Sequence, residues 1–326
     1  MLNLSRPEQL AGLLQTTVRD LHSVLRRADA FCEELLLLDP RKPNKQRVVV
    51  SPRGILRRWQ SRFYSQVLAP GLERSPHSHG GAPGRNVLTN IAPHLGQAFV
   101  FTTDVASFYP NIRRERVFKL FAGLGCRDEV SRLCTRLCTY RHRLEQGLVT
   151  SPILADQLMG PVDERIAGIC RNLGLVYTRF VDDLAISGPF DLQASGVPRL
   201  VQRALSEHGF RCNPTKDRFG SVAEGAAVTR LRFGSGHPDV QRAYIEELER
   251  QLADVASLGV GGPFEGPYFT KSQIRGRVQF VCWVNPGRRR RLQALMAKVA
   301  WVQVREEARR RGLVSVSKRL VRRLPV

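Results

Sequence analysis

No stretch of this 326-residue sequence stays apolar for the roughly 20 residues that a bilayer-spanning helix needs. The run Leu35-Leu36-Leu37-Leu38 is too short for that and is read as the apolar edge of a helix. Met1 to Gln9 lacks the layout of a secretory signal, so no membrane is expected as a partner and a cytoplasmic location is. The seven cysteines are odd in number and irregular in spacing, which excludes a disulfide framework and points to reduced thiols. Cys134, Cys138 and His142 are one helical turn apart, but no second pair completes a tetrahedral metal set, and they are read as structural. Neither a Gly-x4-Gly-Lys phosphate loop nor a nucleophile elbow occurs. Long-period repeats and low-complexity linkers are missing too. Acids are scarce: 29 Asp and Glu against 51 Lys and Arg leave a net charge of +22. That imbalance favours a polyanionic partner, nucleic acid ahead of a membrane surface, because no basic amphipathic anchor stands apart from the fold.

Periodicity then gives a coarse order of elements. Arg6 to Asp39 reads as one or two helices ended by Pro40, and Val48-Val49-Val50 as a strand. Gly54 to Leu68 is helical, and Gly71 to Arg85 is a loop rich in Gly, Pro, Ser and His, with His77 and His79 solvated. Gln97 to Asp104 is a strand ending on a carboxylate. Helices follow from near Arg113, over Asp128 to Arg143, and from a Thr150 or Ser151 cap with Pro152 in the first turn. After the segment around Asp182 come a helix over Asp191 to His208, an irregular stretch near Asn213-Pro214-Thr215-Lys216, and a strand over Ala226 to Phe233. From Pro238 onward the chain is helical and basic, with a break at Pro263 to Pro267.

The chemistry concentrates at Phe180-Val181-Asp182-Asp183, where two adjacent carboxylates occupy a tight turn between short apolar strands. Like charges so close repel unless a cation neutralises them, and a divalent metal with oxygen ligands does so. Asp104, at the end of another strand, completes a set of acids at one sheet edge. Two-metal phosphoryl transfer, with ions ~3.5–4 Å apart, needs carboxylates on different strands.

These residues resemble a reverse transcriptase, over most of the chain from about Lys42 to about Asn285. Phe101-Thr102-Thr103-Asp104-Val105-Ala106-Ser107-Phe108-Tyr109 is similar to the family's first metal-binding motif. Gln146-Gly147-Leu148-Val149-Thr150-Ser151-Pro152 resembles its Gln-Gly-x-x-x-Ser-Pro segment, Phe180 to Asp183 its Tyr-x-Asp-Asp box, and Asn213 to Lys216 its Asn-x-x-Lys element. The resemblance implies an α+β right-hand fold of fingers, palm with antiparallel sheet, and helical thumb. The boundaries expected are 1–96 for N-terminal helices and fingers, 97–225 for the palm with a helical insert at about 113–145, and 226–326 for the palm end and thumb. It implies an RNA-directed DNA polymerase with two Mg²⁺ ions, or Mn²⁺, on Asp104, Asp182, Asp183 and the backbone of Val105. Arg47, with Lys45 as an alternative, would grip the triphosphate. Tyr109 would exclude a 2′-hydroxyl, and Gln146, Gly147 and Lys216 would complete the pocket for a dNTP.

Within the family, the chain is most similar to bacterial retron enzymes. Tyr177-Thr178-Arg179 matches their lead-in to the acidic box, and Asn90-Ile91-Ala92-Pro93-His94 resembles their Asn-Ala-x-x-His signature. Val228-Thr229-Arg230 falls where they carry Val-Thr-Gly, and Ile274 to Val278 with Val284-Asn285-Pro286 is similar to their thumb. Asn90, His94, Val228, Thr229, Arg230, Arg277, Arg288, Arg289 and Arg290 are therefore expected to contact RNA, with packing of its own loop an equal alternative for His94, as is the basic tail at Lys318-Arg319 and Arg322-Arg323. The implied partners are a structured non-coding RNA as template and primer, its DNA product, and a neighbouring effector or toxin protein in antiphage defence. Phe180, Glu145, Leu148-Val149 and Arg230 depart from the family pattern, but none removes an acid. Another defence-associated reverse transcriptase, or an RNA-binding polymerase-like scaffold, are the alternatives.

Overall fold

A computed structural model describes residues 2–38, 46–234, 236–316 and 319–322. The N-terminal helices α1 (Pro7–Leu14) and α2 (Val18–Arg26) both start on identifiable caps. Gln9 accepts from the backbone N–H of Ser5 and Arg6, and Thr17 accepts from that of Asp20 at 3.0 Å. The predicted helical continuation to Asp39 does not form. Cys32–Leu38 is strand β1, paired antiparallel with β2 (Arg47–Pro52) so that Leu36 faces Val48. Four consecutive leucines carry no periodicity that separates helix from strand, and pairing with a β-branched neighbour decides. The other edge of β1 is taken by a C-terminal segment.

Helix α3 (Gly54–Phe63) runs through a π turn into the single turn α4 (Ala69–Gly71), and α5 (Val87–Ile91) follows. The stretch between α4 and α5 is not a solvated loop. His79 N–H donates to the Arg179 carbonyl at 2.7 Å and Arg179 N–H donates to that of His77 at 2.8 Å, so the segment docks beside Arg179 through an isolated parallel bridge at Ser78. His77 lies against Tyr177, and burial first, then nearby Arg85, pushes His79 down to about 4.

A four-stranded antiparallel sheet lies at the centre. It comprises β3 (Phe99–Asp104), β4 (Val176–Phe180), β5 (Asp183–Gly188) and β6 (Arg218–Ser221), in the order β4-β5-β3-β6. Helices α6 (Arg114–Gly123), α7 (Asp128–Cys138), α8 (Ser151–Asn172) and α9 (Val197–Glu207) connect these strands. Helix α7 ends at Cys138, short of the predicted Arg143, because a tight turn pairs Tyr140 with Arg143. Cys134 and Cys138 are buried, while His142 lies off the helix against Arg114. At the start of α8, Pro152 occupies the first turn but neither predicted hydroxyl caps it. Helix α9 starts six residues later than Asp191, after Gly196 in a left-handed conformation.

Strand alternation divides the apolar residues between two cores. Phe101, Leu184 and Ile186 point into the larger one, with α1, α2, α3 and α6 to α9. Val100 and Ala185 point into the second, built from α10 (Arg242–Gly259), α11 (Lys271–Val284), α12 (Arg289–Ala297) and α13 (Trp301–Arg310). Before α10, the predicted strand over Ala226 to Phe233 shortens to β7 (Leu231–Arg232), paired with β8 (Asp239–Val240). After α13, β9 (Arg319–Arg322) pairs with the free edge of β1. Lys45, Lys318 and Arg323 lie outside the described residues.

Phe121 is fully buried, 5.9 Å from Phe63 in the larger core. Phe121→Ala is expected to lower stability by about 3–5 kcal/mol in chemical denaturation. A loss below about 1 kcal/mol would contradict this packing.

Candidate active site

Strand β3 delivers Asp104 to its end, directly opposite Asp183, the first residue of β5. Between β4 and β5 lies a two-residue turn, Val181-Asp182, whose Asp182 carbonyl accepts from Val105 N–H at 2.9 Å. Asp104, Asp182 and Asp183 thereby each present a carboxylate oxygen within 4.8 Å of the others. Repulsion is visible in their acidity. Burial, then the charges of Asp182 and Asp104, push Asp183 up to about 6, and burial followed by Asp104 raises Asp182. Opposing cations approach from several elements. Lys216 Nζ lies 2.7 Å from Asp104 Oδ1, placed by a short turn whose Asn213 N–H donates to the Asp104 carbonyl at 2.8 Å. Arg47 from β2, Arg218 from β6 and Arg230 line the same cavity of about 550 Å³. Three convergent carboxylates form a hard-oxygen donor set, which fits a divalent cation.

The turn is strained. Val181 has φ +61°, a region that disfavours β-branched residues and costs of order 1–3 kcal/mol. Beneath it, Arg179 is almost wholly buried, at 1% exposure. Its Nε and Nη2 donate to Asp163 at 2.8 and 2.7 Å, Nη2 also donates to Asp156 at 2.8 Å, and Nη1 donates to the Val181 carbonyl at 2.9 Å. Burial opposes the Arg179 charge, but Asp163 and Asp156 more than compensate and hold it protonated. Tyr177 donates to the same Asp163 at 2.8 Å. Asp156 and Asp163 escaped the sequence reading. Their trace there was two carboxylates seven residues apart on the otherwise apolar face of α8, a spacing that calls for a buried cation.

The other expected residues separate into groups. Tyr109 packs on Phe108, and burial, then the Asp182 charge, pushes its phenol up to about 12. Val105 is buried directly behind them. Gln146 and Gly147 do not line the acid cavity. They lie against β2, where Val50 N–H donates to the Gln146 carbonyl at 2.8 Å and a Cβ on Gly147 would strike the Val50 carbonyl. Of the expected RNA contacts, Thr229 and Arg230 open onto the cavity from a turn in which both have positive φ. Arg289 and Arg290 are exposed.

Five of the residues expected to contact RNA are buried or have partners within the protein. Asn90, His94 and Val228 are buried, and His94 bonds Ser187 Oγ at 2.6 Å and Thr178 Oγ1 at 2.8 Å, leaving no ring nitrogen for RNA. Burial pushes His94 down to about 3, so it stays neutral there. Arg277 is sandwiched between Tyr244 and Phe269, with guanidinium-to-ring distances of 4.7 and 5.3 Å. Arg288 donates to Asp239 through Nε at 2.9 Å. Both guanidiniums thus have partners within the helical region.

An antiparallel sheet carrying three convergent acids, flanked by a helical layer and a separate helical core, is the α+β right-hand fold of nucleic-acid polymerases. Residues 40–252 match the family model described as reverse transcriptase (RNA-dependent DNA polymerase). The chain belongs to the reverse transcriptase family, and its class activity is RNA-directed DNA polymerisation. Similar curated proteins are of the retron type. The retron Ec86 reverse transcriptase of Escherichia coli is 26% identical, over 87% of this chain and 86% of that protein. Those of retrons Mx65 and Mx162 of Myxococcus xanthus are 31% and 28% identical, over 65% and 92% of this chain and 54% and 68% of theirs. A telomerase structure from Candida tropicalis, in complex with a fragment of telomeric RNA, aligns with a TM-score of 0.47 at 11% identity, over 85% of this chain and 57% of that one. Among the described residues, no helix is long and apolar enough to cross a membrane.

Because Asp183 titrates near 6 when folded, above the 3.8 of an unperturbed carboxylate, the native state without metal binds the extra proton between those values. Its ionised form therefore weakens that state above pH ~6, and the penalty fades as pH falls toward ~4. Asp183→Asn should raise the melting temperature of the metal-free protein at pH ~8, with the gain disappearing near pH ~4. An equal gain at both pH values would contradict the repulsion.

Proposed function

We propose that this protein copies part of a structured non-coding RNA into DNA, as a retron-type reverse transcriptase acting in antiphage defence. The observation that carries the chemical part is the convergence of Asp104, Asp182 and Asp183 within 4.8 Å. The retron reverse transcriptase relatives support RNA as the template partner; the DNA product, dNTPs, a neighbouring effector or toxin protein and a cytoplasmic setting belong to the same proposal. In this reading residues 1–96 form the N-terminal helices and fingers, 97–225 the palm with its helical insert, and 226–326 the palm end and thumb.

Asp104, Asp182 and Asp183 hold the divalent cations, with the Val105 carbonyl as a further oxygen. Two Mg²⁺ ions, or Mn²⁺ in their place, would supply neutralisation of the charge that develops on the reacting phosphate oxygens. The protein's own groups do the positioning. Arg47 offers a planar fork to the triphosphate from the lining of the acid cavity, and Lys216 adds a cation already beside Asp104. Gln146 and Gly147 brace β2, and so Arg47, from behind. Tyr109 fills the space that a 2′-hydroxyl would need. The nucleophile is a primer 3′-hydroxyl, or an RNA 2′-hydroxyl in retron-like priming, attacking the α-phosphate in line. Exposed Arg289 and Arg290 hold the RNA through phosphates, with salt-dependent affinity.

An extension assay with RNA template, dNTPs and Mg²⁺ tests the reading. Asp182→Asn should lower incorporation by about 10²–10³-fold or more while RNA binding persists. Undiminished synthesis would remove Asp182 from the metal site, and a wild-type protein that binds RNA but extends nothing would favour a scaffold. Tyr109→Ala should raise ribonucleotide incorporation relative to deoxyribonucleotide. Unchanged sugar selectivity would overturn the gate.

A further inference from the structure

We propose that Arg179, fixed by Asp156 and Asp163 of α8, is a positioning residue that holds the strained Val181-Asp182 turn in its metal-binding shape. This rests on the acid cluster being the divalent-cation site.

A buried ion pair is weak evidence of stabilisation, since well-packed apolar residues often serve as well. Here one guanidinium meets two carboxylates, and Asp156 draws in the Ser75 N–H at 3.4 Å and Arg74 at 3.7 Å as well. So costly an arrangement asks for a geometric role, and the fork supplies one. Nε and Nη2 grip Asp163 side-on, which fixes the guanidinium plane against α8. That leaves Nη1 aimed at the carbonyl of Val181, a residue at φ +61° that would otherwise relax.

The opposite side is closed too. A Cβ on Gly80 would lie 2.5 Å from Val181 Cγ2 and 2.6 Å from its backbone nitrogen, so the docked loop already touches the turn. Val105 N–H closes the third side through the Asp182 carbonyl. Asp182 is thus held near Asp104 before any cation arrives, against the repulsion between them. A lysine at 179 keeps the charge but lacks the planar fork that serves Asp163, Asp156 and Val181 together.

The test is the binding of Mn²⁺ alone to full-length protein, read from the electron paramagnetic resonance of free Mn²⁺. Arg179→Lys is expected to weaken Mn²⁺ binding by roughly tenfold, the scale of a lost outer-shell partner. Adding Val181→Gly should return affinity to near wild type, because glycine adopts positive φ without being held there. A merely structural Arg179 would lower the melting temperature and leave Mn²⁺ affinity alone. Unchanged affinity in Arg179→Lys, or a loss that Val181→Gly does not restore, overturns the proposal. If Arg179→Lys does not fold, Gly80→Ala displaces the same turn without disturbing a buried charge. Weakened Mn²⁺ binding then supports the proposal and wild-type binding overturns it. Wild-type protein that takes up no Mn²⁺ sinks the metal-site reading itself, and the proposal with it.

Discussion

Three carboxylates within 4.8 Å of one another repel, and much of this structure is arranged to keep them there. Antiparallel pairing of β3 with β5 sets Asp104 opposite Asp183, so the sheet register alone imposes part of the unfavourable contact. The turn adds Asp182 and stores backbone strain at Val181. Such an arrangement persists only where surrounding structure over-determines it, and sites of this kind are where function is found.

That over-determination comes from both faces of the sheet. Alternate residues of β3 and β5 enter two different cores, which clamps the strands from either side. Below the turn, Arg179 joins β4 to α8, and His94 joins α5's following turn to Thr178 and Ser187 on β4 and β5. The residues of the two retron-like signatures, Tyr177-Thr178-Arg179 and Asn90 to His94, therefore meet inside the protein. Cations then enter from β2, β6 and the Thr229-Arg230 turn, so the cavity presents an acidic floor between basic walls. A substrate that carries phosphates and needs divalent cations suits that distribution of charge.

Much of this was legible in the sequence, and the reasons differ by residue. Asp104 sits at the end of an apolar β-rich run, and Asp182-Asp183 between two such runs, so period and punctuation placed the first at a strand end and the pair at a turn between strands. The resemblance of the motifs to a known family implied the rest of the fold. Leu35 to Leu38 misled because a continuous apolar run has no period, and only the partner strand decides its state. For His94, Arg277 and Arg288 the limit was another one: sequence reports a polar residue but not which partners the protein itself offers it. Arg277 between two rings and Arg288 against Asp239 look in sequence like any other cation of a chain carrying +22. Asp156 and Asp163 were visible as acids on an apolar helix face, yet their meaning required the position of Arg179.

The most direct test of the central claim is to locate the ions. In a crystal grown with Mn²⁺, anomalous scattering should place density against the carboxylates of Asp104, Asp182 and Asp183, in the cavity bounded by Arg47 and Arg230. Mn²⁺ found only at other acidic groups, with these three carboxylates left to Lys216 and solvent, would contradict the account.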